Sequence, residues 1–242
     1  MIEIKDMSVC YDGTIQALKE LTLSLDKKKI GIIGENGSGK STLLGCLVGL
    51  NSFTGKITID GEDVNESHLS AIRNKIGFVF QNPDHQLFMN TVREDISFGP
   101  LNQGYSQEET KAKVENIAER LQISSLLDRS PDKLSGGQKS MCAIATVLVM
   151  EPEILLLDEP SSSLDPKSRR RLIHLLKDLD LPFLMATHDL DMALDLCEDL
   201  VLLEKGQLIS HDEAKKILKN KTLLEDHGLE LPLSYQGGTY GD

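Results

Sequence analysis

Gly34-Glu35-Asn36-Gly37-Ser38-Gly39-Lys40-Ser41-Thr42 is a run of small residues closed by a lysine and two hydroxyls. It matches GxxxxGK followed by Ser or Thr at each fixed position, namely Gly34, Gly39, Lys40 and Ser41. In a loop of that spacing the backbone N–H groups turn inward and, with the next helix N-terminus, cradle phosphate. Lys40 would reach the β and γ phosphates of a nucleotide, and the Ser41 hydroxyl would sit on Mg2+. The bland alternative is a glycine-rich turn with a chance lysine. Context speaks against it: Lys29-Ile30-Gly31-Ile32-Ile33 reads as an apolar strand leading into the loop, and Thr42 to Leu50 reads as a helix leaving it.

A second constellation is Ile154-Leu155-Leu156-Leu157-Asp158-Glu159-Pro160. Asp158 ends an apolar strand, where an unpaired charge is costly. A nearby Mg2+ removes that cost, so Asp158 is expected to meet the metal directly or at one remove. Glu159 could polarise a water for in-line attack on a γ-phosphate. An Asp-Glu pair alone would be read as solvated strand-end charge; the apolar run before it and Pro160 after it favour chemistry. Between the two lies Leu134-Ser135-Gly136-Gly137-Gln138. Ser135 is a good N-cap for the helix that follows, and Gly136 and Gly137 permit close backbone approach. An ordinary capped loop would also read this way, but the chain's own phosphate loop does not call for a second anion-binding helix terminus.

The elements that must position these residues follow from periodicity. The first thirty residues alternate apolar and polar positions and predict short antiparallel strands. Lys56 to Gly61 reads as a strand and turn, and Ile76 to Phe80 as a strand ending at Gln81. The middle third is helical: Thr91-Val92-Arg93-Glu94 and Ser106-Gln107-Glu108-Glu109 are capping boxes. Ser106 to Leu121 places Ala112, Ile117, Ala118 and Leu121 near one face. Gln138 to Met150 is apolar almost all round and predicts a buried helix. The last third alternates strands (154–158, 183–187, 200–204) with helices (167–177, 190–197), a pattern of parallel sheet with right-handed crossovers. The glycine-rich stretch Gln236 to Asp242 is expected to be mobile.

Composition bounds the function. Of 242 residues, 40% are hydrophobic, enough for a core. No run approaches the roughly 18–20 apolar residues of a membrane span. Met1 to Lys5 reads as a strand and shows no signal-peptide pattern, so a soluble, cytoplasmic chain is expected. The net charge of −12 argues against a general nucleic-acid binder. Cys10, Cys46, Cys142 and Cys197 form no metal-ligand spacing and are expected as reduced thiols, mostly in apolar surroundings.

Taken in order along the chain, these segments resemble the ATP-binding cassette (ABC) ATPases of ABC transporters, over about residues 2 to 220. The resemblance implies an α/β P-loop NTPase fold: a RecA-like parallel sheet core, an N-terminal antiparallel β subdomain and a helical signature subdomain. It implies one domain over residues 1–220, with the helical part at about 85–150 inserted, and a C-terminal tail over 221–242. ATP and Mg2+ are the implied ligands, with ATP hydrolysis as the reaction. Ser135, Gly136, Gly137 and Gln138 match the signature that binds ATP held by a partner subunit, and Asp165, in Ser163-Leu164-Asp165-Pro166, matches the D-loop crossing a head-to-tail dimer. His188 matches the switch histidine on the γ-phosphate. A lone histidine after a strand would otherwise be read as structural. Gln81 matches the Q-loop glutamine, a ligand of Mg2+ or the attacking water, and Tyr11 matches the aromatic that stacks on adenine. Ser140, Met141 and Cys142 depart from the basic residues often found there, Ser161 from the usual Thr, and Ser163 from the usual Gly or other small residue.

Gln81-Asn82-Pro83-Asp84-His85-Gln86-Leu87-Phe88 and Asp95-Ile96-Ser97-Phe98-Gly99-Pro100-Leu101-Asn102 are similar to energy-coupling factor (ECF) ATPases, which power uptake of cobalt, nickel or vitamins. That likeness implies a second ATPase subunit, identical or paralogous. It also implies a transmembrane coupling protein, a substrate-binding membrane protein and a place on the cytoplasmic face of the membrane. Cobalt or nickel is the preferred cargo, since the tail after the last helix is short. His85, His211 and His227 are too scattered to bind it. A vitamin-type or conventional transporter ATPase differs only in its partner. A soluble ABC ATPase acting on nucleic acid or ribosomes is disfavoured by the acidic balance and the single cassette.

Overall fold

The computed structural model describes residues 1–236; the rest of the glycine-rich terminus, 237–242, lies outside the described residues. The chain forms two compact units, one made of Met1–Ile76 and the described residues from Leu181 onward, the other of Gly77–Asp180.

In the first unit, β1 (Ile2–Tyr11) and β2 (Ile15–Leu25) make one long antiparallel hairpin instead of the short strands expected. Asp12 and Gly13 close it with φ of 51° and 68°, a turn whose twist matches the strands it joins. Ile2, Ile4, Met7 and Val9 are all buried although strict alternation breaks after Ile4. A register shift between Ile4 and Met7, with Asp6 at φ 49°, returns the apolar set to the inner face. β4 (Thr54–Ile59) pairs with the other edge of β1, and β5 (Glu62–Asp63) with β4, giving the order β2-β1-β4-β5.

The second sheet of this unit is centred on β3 (Lys29–Ile33), flanked in parallel by β8 (Phe183–Ala186) and β9 (Asp199–Glu204). β10 (Gln207–Glu213) runs antiparallel on β9. Ile30 to Ile33 and Leu200 to Leu203 are buried throughout, as strands covered on both faces must be. Helix α1 (Lys40–Leu47) begins before Thr42 and ends short of the expected Leu50. Gly49 at φ 65° stops it: its N–H donates to Cys46 O (3.1 Å), and the Leu50 N–H to Gly45 O (2.8 Å), a Schellman closure. Helices α2 (Leu69–Lys75), α7 (Leu190–Leu196), α8 (Ala214–Lys219), α9 (Lys221–Asp226) and α10 (Leu233–Gln236) complete the unit. Past residue 220 the chain stays on the fold: Leu224 of α9 is fully buried in a cluster with Ile33, Leu202 and Ile217, against which Leu229, Leu231 and Tyr235 also lie.

In the second unit, β6 (Ile76–Val79) lies beside β7 (Ile154–Asp158). Its helices are α3 (Val92–Asn102), α4 (Gln107–Arg120), α5 (Gly136–Leu148) and α6 (Pro166–Asp178). Thr91 with Glu94 and Ser106 with Glu109 form the two expected capping boxes. On α4 the buried face is Thr110, Val114, Ile117 and Ala118, continued by Leu121. Ala112, expected on that face, is exposed, because it stands two residues from Val114 and so on the opposite side of the helix. Other expected elements agree within a residue or two at their ends. Among the described residues no helix is long and apolar enough to cross a membrane.

If α9 is part of the core, Leu224→Ala should cost about 2–5 kcal/mol of stability. Urea unfolding would show this as a lower midpoint at unchanged slope; an unchanged midpoint would make residues 221–236 an appendage.

Candidate functional site

In the first unit the site begins where β3 runs out. Gly34 has φ 147°, and a Cβ there would lie 2.1 Å from the Leu203 carbonyl oxygen and 2.7 Å from Ser38 Oγ. Gly39 has φ 103°, with Leu18 Cδ2 at 2.6 Å and Ala17 O at 2.9 Å from the same imagined atom. Both positions therefore exclude a side chain on two grounds, conformation and space. The loop is wedged by the hairpin turn of β9 and β10, where Lys205 and Gly206 have φ of 47° and 80°. The Gly206 N–H donates to Ser38 O (3.0 Å), and Gly206 O accepts from the Lys19 N–H (2.9 Å), so this turn joins the loop to β2.

Lys40 is buried, and its Nζ donates to the carbonyls of Gly34 (2.8 Å) and Glu35 (3.0 Å), which places the ammonium inside the loop. Ser38 Oγ is buried without a hydrogen-bond partner, an atom a ligand oxygen could satisfy. Glu35, Asn36, Gly37 and Ser41 are exposed, and Thr42 is half-buried. Tyr11, at the end of β1, donates its hydroxyl to Thr42 Oγ1 (3.2 Å), so the structure brings the expected adenine-stacking residue to the loop. His188 is brought near the loop's origin by register: Ile32 pairs with Ala186, and the Thr187 N–H donates to Ile32 O (3.0 Å). Thr187 Oγ1 then accepts from the Asp189 N–H, and Asp189 Oδ1 caps α7 through the Met192 N–H (2.9 Å), which fixes the turn carrying the exposed His188.

In the second unit Gln81 follows β6 and is exposed. The segment after it is pinned to α5. Gln86 Nε2 donates to Ala143 O and Thr146 Oγ1 (both 2.8 Å), and Lys139 Nζ pairs with Asp84 at 2.5 Å. Asp158 and Glu159 are both buried. Glu159 has φ 46° and precedes Pro160. A non-glycine residue in the left-handed region is strained, more so before proline, and such strain concentrates where geometry serves chemistry.

Ser135 caps α5 in a reciprocal box with Gln138: Ser135 N–H to Gln138 Oε1 (3.0 Å) and Gln138 N–H to Ser135 Oγ (3.4 Å). With Ser135 as cap, the helix starts at Gly136 and not at Gln138 as expected. The structure brings this segment together with Asp165. A Cβ on Gly137 would meet Ser168 Oγ at 2.6 Å and Asp165 Oδ2 at 3.5 Å, and one on Gly136 would meet Ser163 O at 3.0 Å. Asp165 caps α6 through the N–H groups of Lys167 (2.9 Å) and Ser168 (3.1 Å), and the Ser168 hydroxyl above all holds its carboxyl below the ordinary range. Gly34–Thr42, Tyr11 and His188 thus belong to the first unit, and Gln81, Ser135–Gln138, Asp158, Glu159 and Asp165 to the second. Gln86, Thr187 and Gly206 support these residues and were missed in sequence. Lys205-Gly206 reads as a hairpin turn, yet nothing local marks its bond to Ser38.

A family model described as ABC transporter matches residues 18–162. A putative ABC transporter ATP-binding protein of Gloeobacter violaceus is 45% identical over 235 residues, 96% of each chain. An energy-coupling factor transporter ATP-binding protein of Methanothermobacter thermautotrophicus is 38% identical, covering 96% of this chain and 77% of that one. Among solved structures, cbiO1 of Clostridium perfringens, part of the ABC transporter complex cbiONQ, matches with a TM-score of 0.81 at 33% identity over 93% of both chains. A dimeric ATP-binding cassette in a post-hydrolysis state, bound to ADP and phosphate, matches with 0.80 at 31% identity, covering 88% of this chain and 99% of that one.

Two cysteines report on the helices that start at these loops. Burial pushes the thiols of Cys46 in α1 and Cys142 in α5 up to about 12, and that of Cys197 likewise, whereas Cys10 is exposed. At pH 8 a thiol of that kind is ionised in about one molecule in ten thousand. Mass spectrometry after brief maleimide treatment should show one adduct, on Cys10, and four only after unfolding. Rapid native labelling of Cys46 or Cys142 would mean that α1 or α5 opens.

Proposed function

The chain belongs to the ABC transporter family of ATP-binding proteins, which are ATPases, and on that premise we propose that it powers an ECF-type importer of cobalt or nickel ions. The observation that carries the nucleotide reading is the loop itself: two glycines with no room for a side chain, an orphaned Ser38 hydroxyl and the Lys40 ammonium directed inward. Support for the importer type comes from the Gln81–Phe88 and Asp95–Asn102 runs and from likeness to an energy-coupling factor ATP-binding protein.

Among the described residues no group of three His, Cys, Asp or Glu side chains could hold a metal ion. The oxygen donors of Ser41, Gln81 and Asp158 suit Mg2+ carried with a nucleotide, since this ion keeps water and phosphate oxygens and takes few protein ligands. Ser41, Asp158 and Gln81 would hold it. When bound, the ion neutralises charge across the β and γ phosphates. The proposed cargo would be handled by a membrane partner.

In the proposed reaction the loop N–H groups and Lys40 grip the triphosphate, and Tyr11 takes the adenine. Glu159 accepts a proton from the attacking water as the new oxygen–phosphorus bond forms and the bond to the ADP oxygen breaks. Gln81 and His188 hold the water and γ-phosphate in line. Ser135, Gly136, Gly137 and Gln138, at the positive end of α5, grip the γ-phosphate of ATP held by a second cassette, and Asp165 lies at that dimer interface. ATP thereby closes the dimer at the cytoplasmic face of the membrane, and loss of the bridging charge on hydrolysis reopens it. A transmembrane coupling protein reads this motion and drives the substrate-binding membrane protein.

Glu159→Gln should keep ATP binding and form a stable dimer while turnover falls about 10²–10⁴-fold; turnover at the native rate would remove Glu159 from the proton path. Lys40→Ala should lose ATP affinity, measured by equilibrium binding, and unchanged affinity would sink the phosphate-loop assignment. The importer reading is tested by capturing Glu159→Gln from native membranes with ATP and Mg2+. Recovery of a coupling protein with a small substrate-binding membrane protein supports it; recovery of soluble or nucleic-acid partners alone overturns it.

A further inference from the structure

The turn Asp226-His227-Gly228, which closes α9, rests on the phosphate loop. Gly228 is left-handed at φ 73°, and a Cβ there would lie 2.3 Å from Oε1, 2.5 Å from Cδ and 3.0 Å from Cγ of Glu35. The side chain of Glu35 therefore lies along bare backbone that only a glycine leaves open. The turn is anchored on both sides of this contact. His227 Nδ1 is 2.7 Å from Glu204 Oε2 at the end of β9, and Leu224, one turn earlier, is fully buried. Lys205, and after it His227, holds the Glu204 carboxyl below its ordinary range. Glu204 above all, and Glu35 least, hold the Lys205 ammonium above its ordinary range. Further on, Asp191 of α7 accepts from the N–H groups of Leu233 (2.8 Å) and Ser234 (3.0 Å), which ties the end of the segment down near His188.

Glu35 matters to the loop twice. Its carbonyl accepts from Lys40 Nζ (3.0 Å) and from the Ser38 N–H (3.2 Å), so its backbone orientation sets part of the cradle. Its carboxylate is the one acidic side chain between Gly34 and Thr42, and turned over the loop it would oppose a triphosphate.

We propose that Gly228 is a positioning residue for ATP: anchored through His227, it keeps the Glu35 side chain to one side, so that the loop offers its N–H groups and Lys40 to the phosphates. This rests on the reading of Gly34–Thr42 as the ATP site, and wild-type binding is the control for that reading. If the wild-type chain binds no ATP, the site assignment fails before the variants are compared.

The test is a double-mutant cycle on the full chain, reading the Kd for ATP with Mg2+, and KM and kcat for hydrolysis. Gly228→Ala is expected to raise Kd and KM about fivefold while kcat moves less than about twofold. In a Glu35→Ser background the same substitution is expected to change Kd by less than about twofold, because the displaced group is gone. His227→Ala loosens the anchor without adding atoms, should shift Kd in the same direction, and should also be silent without the Glu35 side chain. Should Gly228→Ala not fold, the His227 cycle decides. Native Kd in these variants, or a loss that persists undiminished in Glu35→Ser, overturns the proposal.

Discussion

A Cβ on Gly34 would lie 2.1 Å from the Leu203 carbonyl oxygen, so the end of β3 and the end of β9 approach as closely as only bare backbone allows. The path of the Gly34–Thr42 loop follows from this contact. β3 must be flanked by β9, β9 must turn back as β10, and the turn between them must present Gly206 to Ser38. A phosphate cradle is made of backbone dipoles, whose direction depends on chain path alone. Holding that path takes close backbone contacts, and these are available only to glycine.

The second unit solves a different problem, that of starting helices at defined points. α3, α4 and α5 each begin with a reciprocal box, and α6 with an aspartate cap. Each cap satisfies orphan N–H groups and fixes the angle at which the chain enters the helix. At Ser135 that leaves Gly136 and Gly137 at the first turn, pressed against Ser163 and Ser168. The segment after Gln81 is held to α5 by Gln86 and by the Lys139–Asp84 pair.

What was legible in sequence was local. The strand, loop and helix around Lys40, the capping boxes and the apolar run before Asp158 rest on neighbours a few positions apart, where periodicity and cap chemistry operate. Ala112 was misplaced because alanine suits either side of a helix and carries little information about burial. The break in alternation on β1 needed the Asp6 bulge, which no short window shows. The contacts of Gly206 with Ser38 and of Gly228 with Glu35 join residues from opposite ends of the chain, and each glycine looks like an ordinary turn residue until its partner is known. The left-handed Glu159 was hidden for the opposite reason: propensity argues against such a conformation before proline, and tertiary structure imposes it.

The division of the chain sets an order of assembly. Residues 77–180 are contiguous, whereas the other unit is made from the first 76 residues and those after 180. During synthesis the phosphate-loop strand emerges early, but its parallel neighbours β8 and β9 come from the last third of the chain. The interrupting unit can be complete on the ribosome while β3 still has both edges bare. The nascent protein therefore carries an apolar, unpaired strand through most of its translation, the state in which a chain is most exposed to aggregation and most dependent on a chaperone. Slow synthesis of the residues from Leu181 onward would prolong that exposure, because both neighbours of β3 lie there.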